Sequence, residues 1–141
     1  MYLKWSEEYE MNIKTFDEEH KFLLETVNNV FSLILNNKKD EAKNILINHI
    51  IFYADKHFKH EEKYMELHNY PDYENHKKIH DIFVNIMIRE LDKIKKDDKE
   101  LMRVVSFLIG WLESHIKRCD KKFGFWLKKN NVNVEDNPFE L

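Results

Sequence analysis

Residues 101–115 have the sequence LMRVVSFLIGWLESH, and this stretch decides the fold class. Its apolar side chains recur at steps of three and four residues, at Leu101, Val104, Val105, Leu108, Trp111 and Leu112. This spacing places them along one face of an α-helix, whereas a half-buried strand would alternate apolar and polar residues. We therefore predict an amphipathic helix that begins after Asp97 or Asp98 as its N-cap.

Three further segments of the chain show the same helical period. They extend over about 17–35, 40–68 and 71–94. The connections between the four segments are short and polar, so helices that are neighbours in sequence should be antiparallel. Only two glycines and two prolines occur in the chain, which leaves few of the residues that the turns of a sheet require. The sequence predicts an all-α, up-down-up-down four-helix bundle (about 17–124) with an N-terminal arm (1–16) and an irregular C-terminal tail (about 125–141).

Composition limits the chain to one globular domain. Its 141 residues are the usual size of a single domain, and 43% of them are hydrophobic, which is enough for a packed interior. The net charge of -3 argues against nucleic acid or an anionic membrane surface as a partner. We therefore expect one domain over residues 1–141, with no nucleic-acid partner and no membrane partner.

Cysteine usage and the N-terminal residues bear on location. The single cysteine, Cys119, cannot form an internal disulfide, which excludes the small secreted proteins that depend on disulfides. The first ten residues carry Glu7, Glu8 and Glu10 where a signal peptide needs an apolar run. No apolar run approaches the ~18 residues of a membrane span. We expect a cytoplasmic protein, and a monomer because no long apolar stripe is left on the outside of the predicted helices.

Five of the eight histidines lie on the apolar faces of the predicted helices. They continue the apolar stripes at steps of three or four residues and are His20, His57, His76, His80 and His115. Glu61 follows His57 by four residues and shares its face. Every predicted helix thus contributes at least one imidazole to the interior. The other histidines lie off or beyond these faces and are expected at the surface: His49, His60 and His68.

A metal site explains this cluster better than a set of separate core histidines does. Any one of the five, taken alone, is better explained as a hydrogen-bonded core residue. Together, however, their burial costs several kcal/mol for each ionised group, against a total stability of about 5 to 15 kcal/mol for a domain. A cation offsets this cost, because neutral imidazoles and ionised carboxylates are metal ligands.

Asp120 is the second candidate carboxylate, although its spacing is irregular. Five residues of a regular α-helix turn the chain by about 500°, which would place Asp120 about 140° away from the face of His115. We therefore predict that the helix loosens near residues 116–119, by a π-type turn or by ending, so that Asp120 faces the cluster. The alternative is a surface aspartate beside Lys121 and Lys122.

The number of candidate ligands indicates two metal ions. Five histidines and two carboxylates are too many for one tetrahedral zinc, but they suit two six-coordinate ions. If both carboxylates and one solvent oxygen bridge the ions, a single coordination position stays open. That position suits a small diatomic ligand, and we expect four apolar side chains to shield it from water: Phe58, Trp111, Leu112 and Ile116.

The motifs around these residues resemble the hemerythrin family. They are YADKHFKHEEKYM (53–65), YENHKKIH (73–80) and WLESHIKRCDKKFG (111–124), and the resemblance extends over about residues 5–125. It implies a non-haem centre of two iron ions bridged by oxide or hydroxide. By the same resemblance His76, His80 and His115 bind one iron, His20 and His57 bind the other, and Glu61 and Asp120 bridge them. The family often has Gln just before its first histidine, where this chain has Glu19.

The resemblance implies reversible binding of dioxygen, as an oxygen transport, storage or supply protein and not an enzyme. The ligand set favours this function, because ferritin-like di-iron proteins use Glu-x-x-His pairs and this chain contains none. A less anionic, histidine-rich set stabilises high-valent iron less and so favours binding over cleavage of dioxygen. Two alternatives stay open: a di-iron enzyme acting on peroxide or nitric oxide, and a redox or oxygen sensor.

Overall fold

Four helical rods build the fold, as a computed structural model of the protein shows for residues 2–135 and 138–139. The helices are α1 (Lys14–Leu35), α2 (Lys39–Ile45), α3 (Ile51–Leu67), α4 (Tyr73–Lys96), α5 (Leu101–His115) and α6 (Lys121–Lys129). Two π turns, Leu46–Ile50 and Ile116–Asp120, join α2 to α3 and α5 to α6 into continuous rods. The part of the chain that the structure describes contains no strand, so the predicted all-α four-helix bundle is confirmed.

The connections between the rods are short, as predicted. Residues 36–38 separate α1 from α2, and residues 68–72 separate α3 from α4. Asp97 and a 3₁₀ turn (Asp98–Glu100) lead into α5, and the Asp97 side chain accepts a hydrogen bond from the backbone N–H of Lys99 at 3.1 Å. None of the helices in the described residues has both the length and the apolar character needed to cross a membrane.

The apolar interior consists of two clusters along the axis of the bundle. The larger cluster includes Leu24, Phe58 and Phe83, and the smaller one includes Phe16, Met65 and Phe123. His20 lies between Phe16 and Leu24 on α1, and Glu61 lies between Phe58 and Met65 on α3. The candidate ligands therefore occupy a polar layer with apolar packing on both sides.

The last rod continues further than the sequence predicts. Helix α6 ends at Lys129, so the first residues of the predicted tail are helical, and Gly124 lies inside the helix. Burial of Phe123 and Leu127 in the smaller cluster stabilises helix α6. A Cβ atom at Gly124 would lie only 2.5 Å from the backbone oxygen of Met11, so glycine is needed here because the N-terminal arm packs against the helix.

The chain after α6 returns across α1 and α3. The Thr15 hydroxyl donates a hydrogen bond to the backbone oxygen of Glu135 at 2.5 Å, and the Phe139 backbone N–H donates to Glu19 Oε2 at 2.5 Å. The Phe139 ring packs against Phe22 and Tyr53. The C-terminal residues thus reach Glu19, which directly precedes the candidate ligand His20 on α1.

Candidate metal centre

The seven predicted ligands meet in the interior of the bundle, and none is more than 4% exposed. They come from all four rods: His20 on α1, His57 and Glu61 on α3, His76 and His80 on α4, His115 on α5 and Asp120 in the second π turn. Their ligand atoms form two groups in which all atoms lie within 4.8 Å of one another. One group is Glu61, His76, His80, His115 and Asp120, and the other is His20, His57, Glu61 and Asp120. Both carboxylates belong to both groups.

The π turn at Ile116–Asp120 brings Asp120 into the layer. Asp120 Oδ1 lies 3.1 Å from His115 Nε2 and 3.0 Å from His76 Nε2. A regular helix would direct this carboxylate toward solvent, whereas a π turn holds an extra residue and restores its direction. The predicted loosening of the helix is therefore confirmed, and the side chain is 1% exposed.

Three imidazole nitrogens of the first group face one another at short range. His115 Nε2 lies 2.9 Å from His80 Nε2 and 3.2 Å from His76 Nε2. Nitrogens of neutral imidazoles that point at one common position are arranged as metal ligands are. In the second group, His20 Nε2 lies 3.0 Å from Asp120 Oδ2, and His57 Nε2 lies 3.2 Å from Glu61 Oε2.

Several atoms of the layer are buried without a hydrogen-bond partner among the described residues. They include Nε2 of His20, Nε2 of His57 and both carboxylate oxygens of Glu61 and of Asp120. A buried polar group left unpaired costs about 1–3 kcal/mol, and more when it is charged. Divalent cations would supply the missing partner for all of these atoms at once, so the residues fit the pair of metal ions that the sequence predicts.

Without metal, neighbouring carboxylates raise the pKa values of two of the imidazoles, those of His57 and His115. Burial alone lowers the pKa of His57, but the Glu61 and Glu19 carboxylates outweigh it and raise the pKa to about 10. Burial is likewise outweighed at His115, where Asp120 raises the pKa to about 10. Burial raises the pKa of Asp120, but His115 and the other imidazoles hold it well below its usual range. A metal ion must therefore displace protons from these imidazoles.

Two further buried carboxylates fix the orientation of two candidate ligands. His57 Nδ1 donates a hydrogen bond to Glu19 Oε1 at 2.6 Å, and His80 Nδ1 donates to Glu62 Oε2 at 2.7 Å. In the neutral form of each ring, this bond keeps the proton on Nδ1, so that Nε2, which faces the centre, can bind a metal ion. Sequence reasoning missed Glu62 and noted Glu19 only as a departure from the family pattern.

The expectation that His60 lies at the surface is wrong. His60 is 6% exposed, and its Nδ1 donates a hydrogen bond to Glu19 Oε2 at 2.6 Å. The buried face of α3 includes His57, His60, Glu61 and Tyr64. This face is wider than a single apolar stripe, as is typical of a helix that packs against two neighbouring helices. The sequence signal for this burial was the spacing of four residues between His60 and Tyr64, which places both on one face of the helix. His49 is exposed, as expected, and His68 is half-buried beside Tyr64.

Aromatic rings cover the three-histidine side of the layer. Phe58 stacks on His80 with the ring centroids 4.0 Å apart, and Trp111 stacks on His115 at 4.4 Å. Leu112 and Ile116 are each at most 2% exposed. All four predicted shielding residues are therefore in or beside the bundle interior, but the two aromatic rings stack on imidazoles of the three-histidine group. That these residues shield an open coordination position stays a prediction.

Comparison with known proteins agrees with this geometry. The family model described as the hemerythrin HHE cation binding domain matches residues 11–127, a span that contains all seven candidate ligands. The chain belongs to the hemerythrin family. The resemblance noted from the motifs is thereby confirmed.

Bacterial and animal members of the hemerythrin family are similar to this chain over most of their length. Bacteriohemerythrin of Clostridium acetobutylicum is 30% identical, over 84% of this chain and 96% of its own. Bacteriohemerythrin of Methylococcus capsulatus is 29% identical, over 83% of this chain and 89% of its own. Hemerythrin subunit 1 of Golfingia vulgaris is 29% identical, over 84% of this chain and 88% of its own.

Proposed function

We propose that this member of the hemerythrin family binds dioxygen reversibly at two iron ions bridged by oxide or hydroxide. His76, His80 and His115 would hold one iron, His20 and His57 the other, and Glu61 and Asp120 would bridge them. The observation that carries the proposal is the pair of buried ligand groups that share both carboxylates. The hemerythrin family resemblance supports dioxygen as the ligand.

The two ligand groups differ by one imidazole, and this difference assigns them different roles. When bound, two adjacent ferrous ions supply the electrons by which dioxygen is held and recover them when it leaves. His20 and His57 provide one nitrogen fewer than the three-histidine group, so a six-coordinate ion beside them keeps a position for an external ligand. Dioxygen would therefore bind on the side of His20 and His57.

The protein contributes shielding and orientation. The Phe16 ring lies edge-on to His57 with centroids 6.1 Å apart, and Phe16 is fully buried. Exclusion of water strengthens the electrostatic interactions in the layer and protects ferrous iron from solvent-assisted oxidation. The hydrogen bonds from His57 to Glu19 and from His80 to Glu62 hold both imidazoles in place, so the site does not need to reorganise when a ligand enters.

Reversibility is the test of a binding protein against an enzyme. The protein is loaded anaerobically with ferrous iron, its iron-to-protein ratio is measured by elemental analysis, and its absorption spectrum is followed as dioxygen is added and then removed under vacuum. Two irons per chain and a spectrum that returns to its starting form support the proposal. One zinc per chain, no metal, or an irreversible spectral change contradicts it, and steady turnover of peroxide or nitric oxide well above that of free iron would favour the enzyme.

A further inference from the structure

The Glu19 carboxylate is a buried acceptor with three hydrogen-bond donors, two on α3 and one in the C-terminal segment. Its Oε1 accepts from His57 Nδ1, and its Oε2 accepts from His60 Nδ1, both at 2.6 Å. The Oε2 atom also accepts from the backbone N–H of Phe139. Three donors around one carboxylate suit the ionised form, which accepts hydrogen bonds only. Glu19 itself has no exposed surface, so water does not screen its charge.

The corresponding carboxylate on the three-histidine side has a different environment. Glu62 Oε2 accepts from His80 Nδ1 at 2.7 Å, but its side chain is 7% exposed. The Lys59 ammonium lies 3.6 Å from its other oxygen and offsets part of its charge. The two sides of the centre therefore each have one carboxylate behind a histidine, and only the carboxylate at Glu19 is fully withdrawn from solvent.

We propose that Glu19 is a positioning residue that acts through His57 to stabilise the oxidised centre, and so makes the site a stronger reductant toward dioxygen. This inference rests on the proposed function. Loss of one electron raises the charge of an iron by one, and a nearby anion stabilises that state more strongly where the dielectric constant is low. The hydrogen bond from His57 Nδ1 to Glu19 also makes His57 Nε2 a stronger donor to the metal.

The side chain at position 19 thus affects two properties together, the affinity for dioxygen and the rate of irreversible oxidation. A neutral amide in place of Glu19 would keep a hydrogen bond to His57 but remove the charge. It should raise the reduction potential, weaken dioxygen binding and slow the oxidation of the ferrous protein. Both effects have one cause, because dioxygen binding and oxidation each withdraw electrons from iron.

Three variants test the proposal: E19Q removes the charge, E19D keeps it, and E62Q makes the same change on the other side. Each variant is loaded with iron, and its reduction potential is measured by electrochemical titration. In this titration an electrode supplies one electron to each ferric ion. We expect E19Q to shift the potential upward by about 59 mV, which is a tenfold change in the ferric-to-ferrous ratio for a one-electron step. The shift should be smaller in E62Q and in E19D. Equal potentials in wild type and E19Q, or equal shifts in E19Q and E19D, would overturn the proposal.

A second measurement does not depend on iron or dioxygen. In zinc-loaded protein, which is diamagnetic, the Nδ1–H proton of His57 should resonate at low field because its hydrogen bond to Glu19 is short and charge-assisted. We expect E19Q to move this resonance upfield and E62Q to leave it in place, and an unchanged resonance in E19Q contradicts the proposal. Failure of the proposed function is recognised separately, since the wild-type protein would then not bind two irons or not release dioxygen.

Discussion

His115 and Asp120 lie five residues apart, yet the π turn between them places Asp120 Oδ1 3.1 Å from His115 Nε2. The same carboxylate reaches His20 Nε2 at 3.0 Å through its other oxygen. One local change in helical winding thus lets a single side chain contact both ligand groups. Glu61 has the corresponding position on α3, within four residues of His57 and 3.5 Å from His80 Nε2.

Ligands that both groups share should matter more for metal content than ligands of one group. We expect Asp120→Ala to reduce the bound iron well below one ion per chain, because both ions lose a carboxylate. His20→Ala removes a ligand from the two-histidine group alone and should leave about one iron in the three-histidine group. Elemental analysis of protein loaded under identical conditions measures both ratios. Equal iron content in the two variants would contradict the shared role of Asp120.

The raised pKa values of His57 and His115 predict the pH dependence of the metal-free protein. Both pKa values are about 10, and a histidine of the unfolded chain has a pKa of about 6.5. The protonated imidazoles of His57 and His115 therefore stabilise the folded protein fully below about pH 6.5, and this stabilisation is lost as the pH rises through about 10. We expect the melting temperature of chelator-treated protein to fall over that interval.

The metal-loaded protein is the control for this pH effect. In each of its ligand imidazoles the metal ion takes the place of the proton that titrates in the metal-free protein, so its melting temperature should fall less between pH 7 and pH 10. Binding of a divalent cation at pH 7 should also release protons, which calorimetry in buffers of different ionisation enthalpy detects. Metal binding without proton release would contradict the charged state of His57 and His115.

The two glycines of the chain provide a matched pair of stability variants, since both lie inside helices. A Cβ atom at Gly110 has no neighbour within 4 Å, so Gly110→Ala should stabilise the protein by about 0.4–1 kcal/mol. A Cβ atom at Gly124 would lie 2.5 Å from the Met11 oxygen and 2.6 Å from its Cβ, and Gly124→Ala should destabilise by about 1–3 kcal/mol. Urea denaturation gives both values. The same sign for the two changes would refute the close approach of the N-terminal arm.

Phe58 should protect the centre from water as well as stabilise the core. Its ring stacks on His80, and only 2% of it is exposed, so Phe58→Ala should destabilise the protein by about 3–5 kcal/mol. We expect faster irreversible oxidation of the ferrous protein as water enters the space. Phe52→Ala is the control, because Phe52 is 55% exposed and its removal should change stability by less than about 0.5 kcal/mol. Oxidation at the wild-type rate in Phe58→Ala would contradict the shielding role.

The sequence by itself determined the helices, their number and the faces on which the candidate ligands lie. Apolar residues at steps of three and four define one face of a helix, and the position of His20 or His80 on that face follows from counting along the chain. The angle between His115 and Asp120 also predicted that the helix departs from regular winding, by a π-type turn or by ending, since no regular helix directs both inward, and the structure shows a π turn. These properties depend on residues a few positions apart.

Only the tertiary structure decided which side chains meet across the bundle. Glu19 and His57 are 38 residues apart, Glu19 and His60 are 41 apart, and Phe139 reaches Glu19 across 120 residues. Periodicity assigns a face to each residue but says nothing about how far one helix is shifted or rotated against its neighbour. The buried position of His60 and the hydrogen bonds of Glu19 depend on that shift and rotation, which the packing of many side chains decides together.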